Sequence, residues 1–322
     1  DYSQFLFEDP LDPNYVRTDW INTEPSSATF AFGGTQMGHS YRKSNSVGGK
    51  FDFTSQITSK HEIKVGTSVR IDDLNEENIT VLYNDQYRTP TVLPANESPY
   101  HNLYDNEATF LSGYIQDKIE YANMIMNVGL RYDYFDPKSD YVDDLLDPEG
   151  SKTTADPKHM VSPRLGISFP ITDAGILHFS YGHFFQMPTL RRLYKTSIFG
   201  AGLAPSIGYA DLKPEKTVNY EFGLQQQLTS ILAINMSIFY KDIRDLLALQ
   251  SIHYESAKYG PSDYAIYLNK DYGSVKGITF SLTKRHDPVT RLSAWADYTY
   301  QVAKGNSVRS GSFFFNSLTG EE

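Results

Sequence analysis

The most regular pattern in this chain is an alternation of apolar and polar residues between Thr217 and Asp242. One face of the first arm carries Val218, Tyr220, Phe222, Leu224 and Leu228. The second arm repeats the pattern from Leu232 to Tyr240 after a turn at Thr229 and Ser230. A period of two predicts β-strands whose two faces meet different surroundings. Two arms of about a dozen residues joined by a tight turn predict a hairpin that crosses a membrane at a tilt.

The same alternation predicts four further hairpins. Their arms are Val47–Thr58 with His61–Asp72, Thr109–Tyr121 with Asn123–Tyr134, Val161–Phe169 with Leu177–Phe185, and Ile278–Leu282 with Leu292–Gln301. We predict loops at Glu8–Ser46, Asp73–Ala108, Phe135–His159 and Met187–Lys216, whereas Ile243–Tyr272 is expected to extend its neighbouring strands beyond the membrane. The full strands are accompanied by a partial strand at Gln4–Phe7 and a candidate short strand at Thr29–Phe32.

Short and long connections alternate along the chain. Most short turns have a few residues, whereas the other connections run to roughly 25 to 40, an asymmetry typical of outer-membrane barrels with short periplasmic turns and long extracellular loops. In a soluble sandwich or propeller, both ends face solvent, so short and long connections occur at either end. We therefore predict an all-β fold, an antiparallel transmembrane β-barrel that is partial, with about 10 to 12 strands.

Alternate residues of such a barrel face lipid or the lumen. The predicted lipid-facing residues are Leu130, Leu224, Ile234, Ile278 and Ala294. The predicted lumen-facing residues are Arg131, Asp133, Arg164, Glu221, Arg291 and Asp297. For this second set, packing in the lumen is favoured over contact with a substrate.

Composition limits the function classes. The 39 Asp and Glu against 29 Lys and Arg, with a net charge of −10, argue against nucleic acid as a partner. The absence of cysteine excludes disulfides, thiolate metal sites and a cysteine nucleophile. An aromatic share of 14 % suits strands and the aromatic girdles of a membrane barrel.

Candidate reaction chemistry is sparse. His178 and His183 fall on opposite faces of one strand, so they cannot share a metal. Acidic residues cluster in one loop at Asp140, Asp143, Asp144, Asp147 and Glu149. Calcium binding is an alternative there, but a solvated acidic loop is favoured because the regular spacing with a central glycine is missing. The nucleophile motif Gly-x-Ser-x-Gly is absent, and we expect neither an enzyme nor a cofactor.

The long connections concentrate aromatic residues on one side of the predicted barrel. The candidate ligand-binding residues are Tyr83, Tyr87, Tyr104, Tyr141, Tyr194, Phe199, Tyr209, Tyr254 and Tyr259, with Tyr264 beside them. Aromatic side chains give a large contact area at low entropy cost, which suits capture of a bulky solute. For any single residue, packing of loop on loop or a place in the outer girdle is favoured.

An ordered set of short motifs resembles the barrel repeats of TonB-dependent outer-membrane receptors. The motifs include Gly129–Asp133, Ser162–Gly166, Tyr181–Phe185, Asp211–Glu215, Asn219–Gly223 and Phe239–Ile243. Each is weak alone, but their order and spacing hold from about Thr109 to Val302. The subtype resembles receptors with an N-terminal carboxypeptidase-regulatory-like domain.

The resemblance implies a receptor of a Gram-negative outer membrane that binds a scarce bulky solute at its extracellular mouth and imports it with energy from the TonB system. The solute would be a siderophore, cobalamin, a carbohydrate or a peptide. Implied partners are outer-membrane lipid, the receptor's own plug domain and, through an N-terminal part, the TonB protein. A passive porin, or less favoured a barrel hydrolase, is the alternative.

Family barrels have about 22 strands and a plugged lumen. Residues 1–322 are therefore interpreted as an incomplete barrel domain without plug or C-terminal strands. Such a piece should form an open half-shell with unpaired edges near Val47 and Val302.

Overall fold

The computed structural model describes residues 38–84, 89–96, 100–148, 150–195, 206–256, 260–286 and 291–306. The long strands are β1 (Gly38–Gln56), β2 (His61–Thr80), β5 (His101–Tyr121), β6 (Met124–Asp136), β9 (Lys158–Thr172), β10 (Gly175–Gln186), β12 (Glu215–Gln227), β13 (Leu232–Ser256), β14 (Gly260–Lys284) and β15 (Ala294–Gly305). The short elements are β3 (Leu82–Asn84), β4 (Thr89–Thr91), β7 (Asp140–Val142), β8 (Lys152–Thr154), α1 (Leu190–Tyr194) and β11 (Ser206–Ile207). Among these residues, no helix has the length and apolar character to cross a membrane.

The long strands form one antiparallel sheet in the order β1-β2-β5-β6-β9-β10-β12-β13-β14-β15. Within the described residues, β1 pairs only with β2, and β15 pairs only with β14. The sheet is therefore a partial barrel that is not closed, as predicted. Its two edge strands contain Val47 and Val302, which confirms the predicted positions of the open edges.

The register keeps apolar side chains together on one face. Ile115 lies opposite Val65 on one side and Leu130 on the other, and Phe222 lies opposite Ile238. Leu130 and Ile238 are each 49 % exposed. A continuous row of exposed large apolar residues is unfavourable in water but suits hydrocarbon, so we assign this outer face to lipid. By the same register, all five predicted lipid-facing residues lie on it.

Several strands run further than the alternation predicts. The loop predictions were wrong over Gly38–Ser46, Asp73–Thr80 and His101–Ala108, where the β1–β2 and β2–β5 ladders continue. These segments are mostly polar, and their few apolar residues, such as Leu74, Ile79 and Tyr104, do not alternate with a period of two. Backbone hydrogen bonds hold them in the sheet. The expected extension beyond Ile243 is confirmed, since β13 reaches Ser256 and β14 starts at Gly260.

The parts of the strands that exceed the length needed to cross a membrane, called here the strand extensions, lie at one end of the sheet. The short turns lie at the other end. A strand of 20 residues such as β2 spans about 65 Å, whereas a tilted strand needs only about 10 residues to cross the membrane. The upper parts of β1, β2, β5, β13 and β14 thus extend beyond the hydrocarbon. This extended end carries the candidate site.

The remaining loop predictions cover segments with regular structure. The range 135–159 contains the β7–β8 hairpin, and the range 187–216 contains α1 and β11. The predicted strands at Gln4–Phe7 and Thr29–Phe32 lie outside the described residues.

Candidate functional site

Helix α1 packs on the inner face of the strand extensions, opposite to the lipid face. Its Leu193 and Tyr194 are 2 % and 4 % exposed. They belong to a buried cluster that contains Leu74, Tyr104, Ala108, Phe135, Met160, Leu193, Tyr194 and Leu212. This cluster, called here the α1 cluster, joins residues of β2, β5, β6 and β9 to the segment after β10. A connection that would otherwise be a loop is therefore held against the sheet by apolar burial.

A buried carboxylate lies beside the α1 cluster. Glu76 is 1 % exposed, and its Oε2 accepts hydrogen bonds from Arg42 Nε at 2.7 Å and from the Tyr104 hydroxyl at 2.8 Å. Asn78 donates to Oε1 at 3.1 Å, and Arg191 of α1 lies 3.5 Å away. Burial by itself raises the pKa of Glu76, but these donors and charges outweigh it and lower the pKa to about 2. Glu76 therefore stays ionised and connects β1, β2, β5 and α1.

A second set of contacts fixes the segment after α1. Tyr209 donates its backbone N–H to the Arg192 carbonyl at 3.0 Å. A Cβ atom placed on Gly208 would lie 2.6 Å from the Leu193 carbonyl oxygen and from the Lys195 nitrogen, so only glycine allows this approach. Strand β11 then pairs in parallel with β14. The segment is thereby held between α1 and the far side of the sheet.

Asn269 of β14 holds the end of the same segment. Its Oδ1 accepts the Lys213 N–H at 2.8 Å, and its Nδ2 donates to the carbonyls of Lys213 at 2.9 Å and Asp245 at 2.8 Å. One amide side chain thus satisfies backbone groups from two other parts of the chain.

The β7–β8 hairpin packs on the extensions of β13 and β14. The buried residues are Val142, Ile207, Ile252, Tyr254, Tyr264 and Ile266. Tyr264 is fully buried, and its hydroxyl donates to the Leu145 carbonyl at 2.7 Å. The hairpin and β11 therefore share one apolar core at the extended end of the sheet.

Between the hairpin, β5 and the end of α1 lies a cavity of about 730 Å³. Its walls include Tyr104 and Asn106 from β5, Tyr141 from the hairpin, and Tyr194 and Lys195 from the α1 end. The cavity lies at the end of the sheet opposite to the short turns. It is called the rim cavity below.

Three of the predicted aromatic residues meet at the rim cavity, namely Tyr104, Tyr141 and Tyr194. Tyr209 packs edge-on against Tyr141 with ring centroids 5.1 Å apart. Tyr104 and Tyr194 are 4 % exposed, and burial is the main cause that raises the pKa of both hydroxyls. Both therefore act as neutral donors, the second to the Pro137 carbonyl at 2.8 Å.

The other predicted aromatic residues lie elsewhere. Tyr254 is buried against Tyr264, with centroids 5.7 Å apart, and is not part of the cavity lining. Tyr83 lies in β3, and Tyr87, Phe199 and Tyr259 lie outside the described residues.

The predicted lumen-facing charges form local contacts. Arg131 and Asp133 make an ion pair of 2.6 Å along β6, and the Arg164 guanidinium lies 4.8 Å from the centre of the Phe184 ring. Arg131 and Arg164 line a second cavity of about 440 Å³ at mid-strand.

The register places the remaining lumen-facing predictions. Glu221 lies opposite Ser180 on the inner face, and Asp297 lies opposite Ser281. Arg291 precedes β15 with a positive φ of 54°.

Two residues of the site were not identified from the sequence. Glu76 fell in a predicted loop, and Lys195 directly follows the Leu193-Tyr194 pair without any pattern of its own. Lys195 is partly buried, and burial, followed by the positive charge of Arg191, lowers its pKa. Glu76 is surrounded by Arg42 and Tyr104 from neighbouring strands and by Arg191 of α1, whereas Lys195 acquires its surroundings only when α1 folds onto the sheet. The described residues contain no group of three or more His, Asp or Glu that could hold a metal ion.

Comparison with known proteins adds a family match. A family model described as "TonB dependent receptor-like, beta-barrel" matches residues 2–320. In sequence, the chain is 25 % identical over 240 residues to TonB-dependent heme receptor A of Haemophilus ducreyi. This alignment covers 69 % of the chain and 30 % of that receptor.

Solved structures show the same fold. The outer membrane transporter YddB from Escherichia coli aligns with a TM-score of 0.62 and 15 % identity, over 87 % of this chain and 36 % of that one. A mutant of the ferric enterobactin receptor from Pseudomonas aeruginosa aligns with a TM-score of 0.56 and 16 % identity, over 84 % and 37 %. The chain therefore spans well under half the length of these proteins.

Proposed function

This chain belongs to the family of TonB-dependent-receptor-like β-barrels, and from that premise we propose that it forms part of an outer-membrane receptor for active transport. The receptor binds a scarce, bulky solute on the extracellular side and imports it with energy from the TonB system. Its cellular place is the outer membrane of a Gram-negative bacterium, which it crosses many times.

The observation that carries this proposal is the position of the rim cavity. It lies where the strands extend beyond the membrane, away from the short turns, so a solute outside the cell reaches it first. Its volume of about 730 Å³ falls within the usual range of about 300 to 1,000 Å³ for ligand pockets. Tyr104, Tyr141 and Tyr194 give it aromatic walls, which suit a bulky solute.

The relatives favour a metal chelate as the solute. One is named as a heme receptor and another as a receptor for ferric enterobactin. Cobalamin, carbohydrate and peptide are the other solute classes to include in a test.

The inner face suits a plug domain supplied by the rest of the receptor. Arg131, Asp133 and Arg164 lie on it at mid-strand, around a cavity of about 440 Å³. We propose that charged and polar groups of a plug pair with these side chains. Coupling to TonB would pass through such a plug, while the outer face contacts lipid.

Uptake by whole cells tests this function. The intact receptor is expressed in a Gram-negative strain that lacks its own copy, and uptake of labelled heme, ferric enterobactin, cobalamin, an oligosaccharide and a peptide is measured. We expect saturable uptake of one class that stops when the TonB gene is deleted or an uncoupler is added.

The same assay separates the alternatives. A passive porin would give uptake that rises linearly with concentration and continues without TonB. A barrel hydrolase would release a cleaved product outside the cells. Either result would overturn the proposed function.

A further inference from the structure

The rim cavity carries more positive charge than the rest of the chain. The whole sequence has a net charge of −10. The cavity, in contrast, is lined by the three lysines Lys138, Lys152 and Lys195 and by two aspartates. An acidic protein that concentrates cations in one cavity attracts anions to that place.

The two aspartates of the lining are already satisfied by local donors. Asp136 accepts the backbone N–H of Lys138 at 2.9 Å, and Asp140 accepts the Thr154 hydroxyl at 2.8 Å. Lys138 is paired with Glu107, and the side chain of Lys152 is exposed. Among the three lysines of the lining, Lys195 is therefore the one that, in the part of the chain that the structure describes, is neither paired with a carboxylate nor fully exposed to solvent.

Lys195 is partly buried without a carboxylate partner among the described residues. Its ammonium donates a hydrogen bond to the Ser206 hydroxyl, a neutral group. The nearby Arg191 is a like charge, and the negative charge of Glu76 acts on Lys195 less strongly than Arg191 does. Glu76 already accepts hydrogen bonds from Arg42 and Tyr104. The connection from Thr196 to Pro205 contains no Asp or Glu, so it cannot supply the missing partner.

Lys158 of β9 shows the contrast. It is also partly buried, but its ammonium pairs with Asp211. A buried charge is costly unless it is paired and hydrogen-bonded. Lys195 carries this cost at the wall of a cavity, where an anionic ligand would remove it.

We propose that Lys195 is the anion-binding residue of the rim cavity and that the captured solute carries an oxyanion, such as a carboxylate, catecholate or phosphate group. This inference rests on the proposed function, because it names the chemical class of the solute. The oxyanion accepts a charge-assisted hydrogen bond from Lys195, while the apolar body of the solute lies against Tyr141 and its neighbours. Neutral chelates and neutral sugars are expected to bind poorly.

Citrate and its uncharged triamide form a matched pair of probes. Binding of each to the purified intact receptor in a non-ionic detergent is measured by ligand-observed NMR titration. We expect the receptor to bind citrate at least about tenfold more tightly than the triamide, since a hydrogen bond between two charged groups is stronger than one to a neutral amide. Lys195→Met should remove this preference, and Lys195→Arg should restore most of it.

Lys213→Met is the control variant. Lys213 lies in the same connection, but its side chain is exposed and is not part of the cavity lining. Replacing it by Met changes the net charge by the same amount as Lys195→Met does. It should keep the preference for citrate. An unchanged preference in Lys195→Met, or equal binding of the two probes to the unmodified receptor, would overturn the inference. The arginine variant shows whether a loss comes from charge or from misfolding.

This experiment is independent of transport. If uptake proves passive but citrate binding still depends on Lys195, the proposed function fails and the anion site stands. If uptake depends on TonB but Lys195 has no effect on citrate binding, the anion site fails and the proposed function stands.

Discussion

Ile278 and Thr279 are adjacent on β14 and face opposite sides of the sheet. Ile278 lies between Ile238 and Tyr300 on the lipid face, whereas Thr279 lies between Ser237 and Thr299 on the inner face. Because the two positions have the same depth, an arginine at each compares the two faces directly. The assignment of the lipid face therefore predicts very different costs for Ile278→Arg and Thr279→Arg.

The magnitude follows from the depth of Ile278. It lies about six residues from the short-turn end of β14, which at roughly 3.3 Å per residue and a tilt of about 40° is about 15 Å. The apolar band is about 25 Å tall, so this depth is close to its middle, where an arginine on the lipid face costs about 2 to 4 kcal/mol. Thr279→Arg should cost about 1 kcal/mol or less, as expected for a polar face.

Leu224→Arg adds a second depth. Leu224 lies about three residues from the short-turn end of β12. It is therefore about 8 Å from the edge of the apolar band, and the cost of an arginine on the lipid face falls toward that edge. We expect a cost of about 1 to 2 kcal/mol there, and a small one for its exposed inner-face neighbour in Gln225→Arg.

The assay is denaturant unfolding of the intact receptor in lipid vesicles, with the free energy of unfolding compared between variants. Equal costs for Ile278→Arg and Thr279→Arg would refute the assignment of faces. A larger cost at Leu224 than at Ile278 would refute the assigned depth.

The remaining predictions concern the α1 segment of the intact receptor, measured by hydrogen exchange of α1. The folded-state pKa of Glu76 lies below its unfolded value, so its stabilisation of up to about 3 kcal/mol is present above about pH 4.5 and is lost as pH falls toward 2; Glu76→Gln should remove this dependence. Gly208→Ala should loosen α1 by about 1 kcal/mol or more, because the new methyl meets backbone atoms. Tyr194→Phe should cost about 1 kcal/mol through loss of the bond to Pro137.

Gly38→Ala is the control for the glycine substitution. It should have no effect, since no atom lies within 4 Å of a Cβ added there. Protection of α1 that keeps its acid dependence in Glu76→Gln would disprove the role of that carboxylate. Normal exchange in Gly208→Ala or Tyr194→Phe would show that the respective contact contributes little.

The sequence predicts the membrane part of this fold well, because lipid imposes a pattern. Each strand between the short turns and mid-sheet has an apolar face, so residues such as Val65, Ile115 and Leu130 alternate with polar neighbours. Once the strands leave the hydrocarbon, that constraint ends. The run from Asp72 to Thr80 is mostly polar and has no alternation, since Leu74 and Ile79 are its only apolar residues, and only its pairing with β1 and β5 shows that it is a strand.

The candidate site is predicted in part. Aromatic enrichment of the predicted loops pointed to Tyr104, Tyr141 and Tyr194, which the fold brings together at the rim cavity. Glu76 depends on contacts with Arg42 of β1, Tyr104 of β5 and Arg191 of α1, and Lys195 depends on its contact with Ser206 of β11. No local sequence pattern records such contacts between separate elements. Tyr254 fell in the same aromatic set although it packs in the hairpin core, because composition does not separate buried from accessible rings.

The α1 segment also has a mechanical consequence. Arg191 contacts Glu76 on β2, and the Gly208 region joins β11, which pairs with β14. Measured along the sheet, β2 and β14 are seven strands apart, about 34 Å at roughly 4.8 Å per strand.

The direct path across the inner face is shorter, since α1 has only five residues and therefore a length of about 7 Å. A short link across the inner face holds β2 and β14 closer together than their separation along the sheet, and so limits how far the sheet can flatten at its extended end. Loss of the contact between α1 and Gly208 is therefore expected to let the extended end of the sheet widen, while the strands near the short turns keep their shape.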